Sequence, residues 1–79
     1  MSRTSDNVII SFIAEFESFL RKEDFVIALL HYRLGEWHVA LRKNGSHTHS
    51  VHGFGPGMLT AMNNGMRRYR GQEPLNVIG

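Results

Sequence analysis

The stretch from Phe25 to Gly45, FVIALLHYRLGEWHVALRKNG, decides the fold of this 79-residue chain. Its first part, residues 25–33, is apolar at both alternating sets of positions and rich in β-formers. That composition predicts a central strand buried on two sides or nearly so. Leu34-Gly35 breaks the run. Residues 36–43 then alternate between apolar and polar side chains, which predicts a second strand with one covered face.

The dipeptide Asn44-Gly45 predicts the next reversal of the chain. It is the preferred pair for a two-residue type I′ hairpin, because both central residues of that turn need positive φ. A third strand is therefore predicted at about residues 46–54. The glycines and the proline of GFGPG then end the sheet.

This hairpin register determines which histidines lie together, because alternate residues of a strand point to the same side. The residues predicted to share one face are His38, Arg42, His47 and His49. His52 is predicted on the opposite face, across from Trp37. A three-residue loop would instead shift the register by one and turn His47 and His49 to that other face.

A helix is predicted on each side of the three strands. Apolar residues recur at steps of three and four between Val8 and Leu20, which indicates an amphipathic helix at about residues 6–22. Ile10 falls outside its apolar face. The second helix is predicted at about residues 56–70, with a weak centre at Gly65, and a short tail follows at 72–79.

The order of these elements gives a single α+β domain over residues 1–79. Its predicted architecture is α-β-β-β-α, a three-stranded antiparallel sheet with two helices packed on one face. The chain has no cysteine, which fits a reducing cytoplasm, and no apolar run long enough to span a membrane. Its formal net charge is +2, divided into −2 for residues 1–40, which contain six of the seven acidic residues, and +4 for residues 41–79.

The histidine-rich segment NGSHTHSVHGFGPG raises the question of a metal site. Imidazoles at alternate strand positions can bind Zn²⁺. Arg42 would repel a cation there, however, and Glu36 is the one carboxylate nearby in sequence. The alternative is a polar, solvated sheet face, and we predict no metal site. Below about pH 6.5 the imidazoles near Arg42 would gain charge and favour anions.

No catalytic residue or cofactor is predicted from the sequence. The serines and threonines do not stand in a nucleophile-elbow context, and no carboxylate pair has a spacing typical of acid and base catalysis. GFGPG follows a strand and opens a helix, but Pro56 lacks one of the N–H groups that a phosphate would need. A structural turn is the better interpretation.

The α-β-β-β-α order, the KNG hairpin, the glycine-bearing strand SVHGFG and the helix after it resemble the double-stranded RNA-binding domain over nearly the whole chain. This resemblance implies weak binding of nucleic acid, through phosphate contacts. The basic residues of the second helix lie at its end, in MRRYR, whereas the family carries lysines at the start, where this chain has PGML. The candidate nucleic-acid-binding residues are Arg67, Arg68 and Arg70, with Arg42 and Lys43.

In its size, lack of cysteine, lack of catalytic motifs and single small sheet, the chain is also similar to small phage-encoded inhibitors, among them the anti-CRISPR proteins. This resemblance implies a cytoplasmic, non-enzymatic protein that blocks a surface of a host protein or nucleoprotein complex. The candidate partner-binding residues are His38, Arg42, Lys43, Asn44, His47 and His49. Self-association into a homodimer is a further expectation, because the core is small and Ile10, Leu75, Val77 and Ile78 are candidates for exposure.

Overall fold

The structure, a computed structural model, describes the backbone of residues 3–75 and the side chains of residues 10–75. The elements in chain order are helix α1 (Arg3–Glu23), strands β1 (Phe25–Arg33), β2 (Glu36–Lys43) and β3 (Val51–Gly55), and helix α2 (Met58–Tyr69). This order confirms the predicted α+β class and α-β-β-β-α architecture. The end of the predicted tail, including Val77 and Ile78, and the side chains of Val8 and Ile9 lie outside the described residues.

The three strands form one antiparallel sheet in the order β1-β2-β3. The prediction that β1 is the central, doubly buried strand is therefore wrong, because β2 lies between its two neighbours in the chain. Leu34 and Gly35, with φ of 56° and 78°, join β1 to β2. Positive φ at both central residues is the pattern of a type I′ turn, which matches the right-handed twist of paired strands.

The second connection differs from its prediction. Gly45 has a φ of +86°, whereas Asn44 is not among the residues with positive φ, and this combination is typical of a type II turn. A type II turn splays the strands that it joins. Residues 46–50 accordingly leave the ladder, and β3 begins at Val51, which pairs with Leu41. The predicted strand at 46–54, and the pairing that it implied, are wrong for this reason.

Helix α2 packs on the sheet through small residues, which allow the two backbones to approach closely. A Cβ on Gly53 would lie only 2.6 Å from the Cα of Gly65, and it would also collide with the carbonyl oxygen of Ala61. Gly65 itself rests against Val39 and Leu41 of the core. The helix is continuous through Gly65, so this glycine serves a close contact rather than marking a weak centre.

Helix α1 joins the core through its C-terminal half. Phe16 and Phe19 are buried there, and the ring of Phe19 lies 5.3 Å from that of Phe25 on β1. Further from this connection, Ile10 and Ile13 are 62 % and 49 % exposed. Neither helix, over its described residues, is long and apolar enough to cross a membrane.

Candidate functional site: a row of imidazoles on the open sheet face

Both helices pack against the same side of the sheet, the side that carries Val39, Leu41 and Gly53. The strand register places the alternate residues on the other side, which we call the open face. Its polar and aromatic members are His31 and Arg33 of β1, Glu36, His38 and Arg42 of β2, and His52 and Phe54 of β3. The open face is thus the part of the sheet that the helices leave available to a partner.

Three imidazoles form a hydrogen-bonded row across the open face, one from each strand. Nε2 of His31 lies 3.0 Å from Nδ1 of His38, and Nε2 of His38 lies 2.8 Å from Nδ1 of His52. We call this row the imidazole relay. His49, from the loop before β3, adds a fourth ring whose centroid lies 5.6 Å from that of His52.

The relay can hold one extra proton while it keeps both hydrogen bonds. A neutral imidazole carries one N–H and one acceptor nitrogen, so three neutral rings complete both bonds by donating in the same direction along the row. Each bond needs one proton between its two nitrogens, and the two outer nitrogens take at most one each. A second added proton therefore places two N–H groups face to face and breaks a bond.

The central ring resists protonation for an additional reason. Burial lowers the pKa of His38, and the positive charges that His52, His31 and His49 would carry lower it further, against a weaker opposing effect of Glu36. The relay is consequently neutral at its centre at physiological pH, and acid disfavours the arrangement.

Phe54 is the aromatic ridge of the open face. Its ring stacks on that of His38, with centroids 4.5 Å apart and planes inclined by 5°, and it is 42 % exposed. The carbonyl oxygen of Phe54 accepts a 2.8 Å hydrogen bond from Asn64 Nδ2 of α2, which fixes the strand below the ring. The side chain is therefore held in place before any partner arrives.

Two clefts flank this ridge. One, of about 310 Å³, lies toward the β1–β2 turn and is lined by His31, Arg33, Leu34, Glu36, His38 and Phe54. The other, of about 350 Å³, lies toward α2 and is lined by His52, Gly53, Phe54, Asn64, Arg68, Gln72 and Pro74. Leu34 at the rim of the first cleft is 91 % exposed.

Some of the predicted partner-binding residues come together here. His38 and Arg42 lie on the open face, as the alternation predicted, and Arg42 donates to the carbonyl of Ser46 at 2.9 Å. The prediction that His52 and His38 lie on opposite faces of the sheet is wrong, because Ala40 pairs with His52 rather than with His49. The two rings therefore share a face and a hydrogen bond.

The remaining predicted residues lie outside the strand positions of the open face, although the ring of His49 contacts the relay through that of His52. His47 and His49 belong to the exposed loop before β3, and Asn44 is in the turn after β2. The Nζ of Lys43 is on the helix side, where it donates to the carbonyl of Glu23 at 2.6 Å and lies 4.5 Å from the centroid of the Phe25 ring. These contacts tie Lys43 to the end of α1.

Of the three arginines at the end of α2, two contact other residues of the domain and one is exposed to solvent. Arg67 donates to the carbonyl of Glu73, and Arg70 forms a 3.1 Å ion pair with Glu15 and lies over the ring of Phe19. Arg68 is exposed and lines the larger cleft. Two of these three candidates for nucleic-acid binding thus stabilise the tail and the contact between the helices.

Sequence reasoning missed His31, His52 and Phe54 as members of one surface. A signal for His31 was present, because a two-residue turn at Leu34-Gly35 pairs Arg33 with Glu36 and hence His31 with His38. The positions of Phe54 and His52 could be predicted only from the register of β3, and that register depends on the turn type at Gly45.

The relay does not converge on a common ligand position. His38 directs its two nitrogens to different neighbours, and no group of three His, Asp or Glu side chains capable of holding a metal ion occurs among the described residues. What the arrangement offers chemically is a rigid aromatic surface that can take up one extra proton.

No protein-family model matches the chain, and neither a curated protein nor a solved structure is significantly similar to it. A functional conclusion therefore depends on the chemistry of the open face.

Proposed function

We propose that the protein is a non-enzymatic binding protein whose open face blocks a surface of a larger host protein or nucleoprotein complex. This is the mode of action that the resemblance to phage-encoded inhibitors of the anti-CRISPR type implies. The observation that carries the proposal is Phe54, an exposed aromatic ring fixed between two clefts and stacked on His38.

A ring in this position suits the centre of a protein interface. Aromatic residues supply much of the binding free energy in such interfaces, and they do so best when they are rigid before binding. The stacking on His38 and the bond from Asn64 limit the freedom that Phe54 would lose. The clefts on either side can accept side chains from the partner, which adds shape complementarity.

The charges around the ridge favour a protein surface over a nucleic-acid backbone as the direct contact. Arg33, Arg42 and the carboxylate of Glu36 stand on the open face and Arg68 lines the second cleft, so the charge around the ridge is mixed. Binding of nucleic acid without sequence preference depends on several free cations that neutralise phosphates. Arg67 and Arg70 are already engaged within the domain.

The test is affinity capture from the lysate of the host, comparing wild type with Phe54→Ala. We expect the variant to bind the captured complex about 30-fold more weakly, the effect of losing a central anchor. Arg21→Ala is the matched control, because Arg21 is exposed on α1 and pairs only with Glu17 four residues earlier among its described ion pairs. The control should capture as wild type does.

Equal capture by Phe54→Ala and wild type, with both folded by circular dichroism, would rule out the open face as the binding surface. A gel shift with duplex RNA or DNA that weakens with salt and disappears in Arg68→Ala would instead support the nucleic-acid alternative.

A further inference from the structure

Strand β1 is an edge of the sheet, and within residues 3–75 its outer side has no strand partner. Its central part, residues 26–32, contains neither charge nor proline. Exposed edges are usually blunted by such residues, because unpaired N–H and C=O groups invite another strand. A bulge at Ala28 interrupts the pairing of β1 with β2, and no other protective feature of the edge occurs in the described part of the chain.

The side of β1 that faces the helices is also incompletely covered. Ile27, Leu30 and Tyr32 share this side, and each is more than a third exposed, with Tyr32 at 59 %. Phe25, at the beginning of the strand, is buried beneath α1 and α2. The apolar surface therefore continues along β1 beyond the end of the core.

We propose that β1 pairs antiparallel with β1 of a second copy of the chain, about a two-fold axis at the bulge. The sequence of the strand is self-complementary in this arrangement. Ile27 faces Leu30 of the second copy, Phe25 faces Tyr32, and Asp24 faces Arg33, each contact occurring twice.

The bulge makes this register possible. Residues that face each other in an antiparallel pair must lie on the same side of the sheet. In an unbulged strand Ile27 and Leu30 would point to opposite sides, but the extra residue at Ala28 brings them to one side, as their partners Leu41 and Val39 show. The same shift places Phe25 and Tyr32 on a common side, as their partners Lys43 and Trp37 show, and it leaves the irregularity at the axis.

Charge complementarity selects a second copy rather than another strand as the occupant. Asp24 lies just before β1 and Arg33 ends it, and antiparallel pairing brings each next to the other in the second copy. Both residues are exposed, and neither takes part in an ion pair in the described part of the chain. In the dimer, Asp24 of each copy would form an ion pair with Arg33 of the other, one pair at each end of the β1–β1 contact in the middle of a shared six-stranded sheet.

The experiment is a charge swap measured by sedimentation equilibrium at low ionic strength, where exposed charges are least screened. Asp24→Arg and Arg33→Asp should each raise the dimer dissociation constant at least about tenfold, because both pairs become repulsive. An equimolar mixture of the two variants should regain the wild-type constant as a heterodimer. The double variant Asp24→Arg/Arg33→Asp should regain it as a homodimer.

A wild-type protein that stays monomeric up to millimolar concentration overturns the proposal. A dimer whose dissociation constant is unaffected by either single substitution also overturns it. The same holds if an equimolar mixture of the two variants does not regain the wild-type dissociation constant. Circular dichroism of each variant separates a loss of folding from a loss of pairing. Phe54→Ala should leave the dimer intact, since Phe54 belongs to the other edge strand, so this inference and the proposed function can fail independently.

Discussion

His38 is the residue that links the parts of the open face. It donates or accepts at both ring nitrogens and also supports the ring of Phe54. A hydroxyl or an amide at this position could not reproduce two hydrogen bonds and a stacked ring together. The relay and the binding ridge thus depend on one imidazole.

We expect the free energy of unfolding to fall as the pH falls below 6.5, the ordinary pKa of histidine. The pKa of His38 is lowered in the folded state, so the unfolded chain binds a proton more readily over this range. The stabilisation is complete above pH 6.5 and is lost as the pH approaches the lowered pKa. Guanidinium titrations at pH 7.5 and pH 5 measure the effect.

The variant His38→Gln should reduce this pH dependence, at a cost of about 1 kcal/mol for each hydrogen bond that it loses. His47→Ala is the matched control, because His47 is exposed in the loop and makes none of the relay's contacts. The neighbours that act on His38 are His31, His52, His49 and Glu36. A wild-type stability that is flat between the two pH values would contradict the prediction.

At the scale of elements, the two hairpin turns explain how far the sequence could predict the fold. The residue alternation in β2 and the apolar run of β1 sufficed for their bounds, which agree with the prediction at 25–33 and 36–43. The turn types were not predicted correctly from the sequence. Asn44-Gly45 is the residue pair typical of a type I′ turn, but it is Leu34-Gly35 that adopts the type I′ conformation. The position of β3 also includes the close backbone contact of Gly53 with α2, a tertiary contact that a local turn preference does not contain.

The β1–β2 turn carries a strained residue that can be relieved. Leu34 has a φ of 56°, a conformation that costs a leucine about 1 kcal/mol and that asparagine tolerates, and its side chain is almost fully exposed. We expect Leu34→Asn to raise the free energy of unfolding by about 1 kcal/mol and the melting temperature by about 4–8 °C. Thermal unfolding followed by circular dichroism checks this.

Leu34→Ala serves as the control for that substitution. It removes the exposed side chain but keeps a residue that is strained at positive φ, so its stability should stay close to that of wild type. A stabilisation of the same size in both variants would mean that the loss of an exposed leucine, and not relief of the turn, is responsible.

At the scale of the whole molecule, the domain is held together by close contact between its two layers, the three-stranded sheet and the pair of helices. Helix α2 lies on β3 and β2, and its buried residues include the polar side chains of Thr60, Asn63 and Asn64. Asn64 joins the layers directly, because it donates to the carbonyl of Phe54 and exchanges two hydrogen bonds with the backbone of Leu75. No apolar periodicity in the sequence could indicate this contact, since an asparagine in a helix is more often exposed.

The glycines at the interface of the layers give the last prediction. Gly53→Ala should destabilise the domain by about 3 kcal/mol, because the new methyl group meets backbone atoms of α2 that can move only if the helix does. Gly65→Ala should change stability by less than about 1 kcal/mol. Its methyl group meets the Cγ1 of Val39 at 3.3 Å, and the gain in helix propensity offsets that crowding. Urea unfolding of the two variants measures the difference.

Equal effects at the two positions would contradict the view that backbone contact between β3 and α2 sets the separation of the layers. Because Phe54 follows Gly53 directly, a shift of α2 in Gly53→Ala would also displace the ridge of the open face.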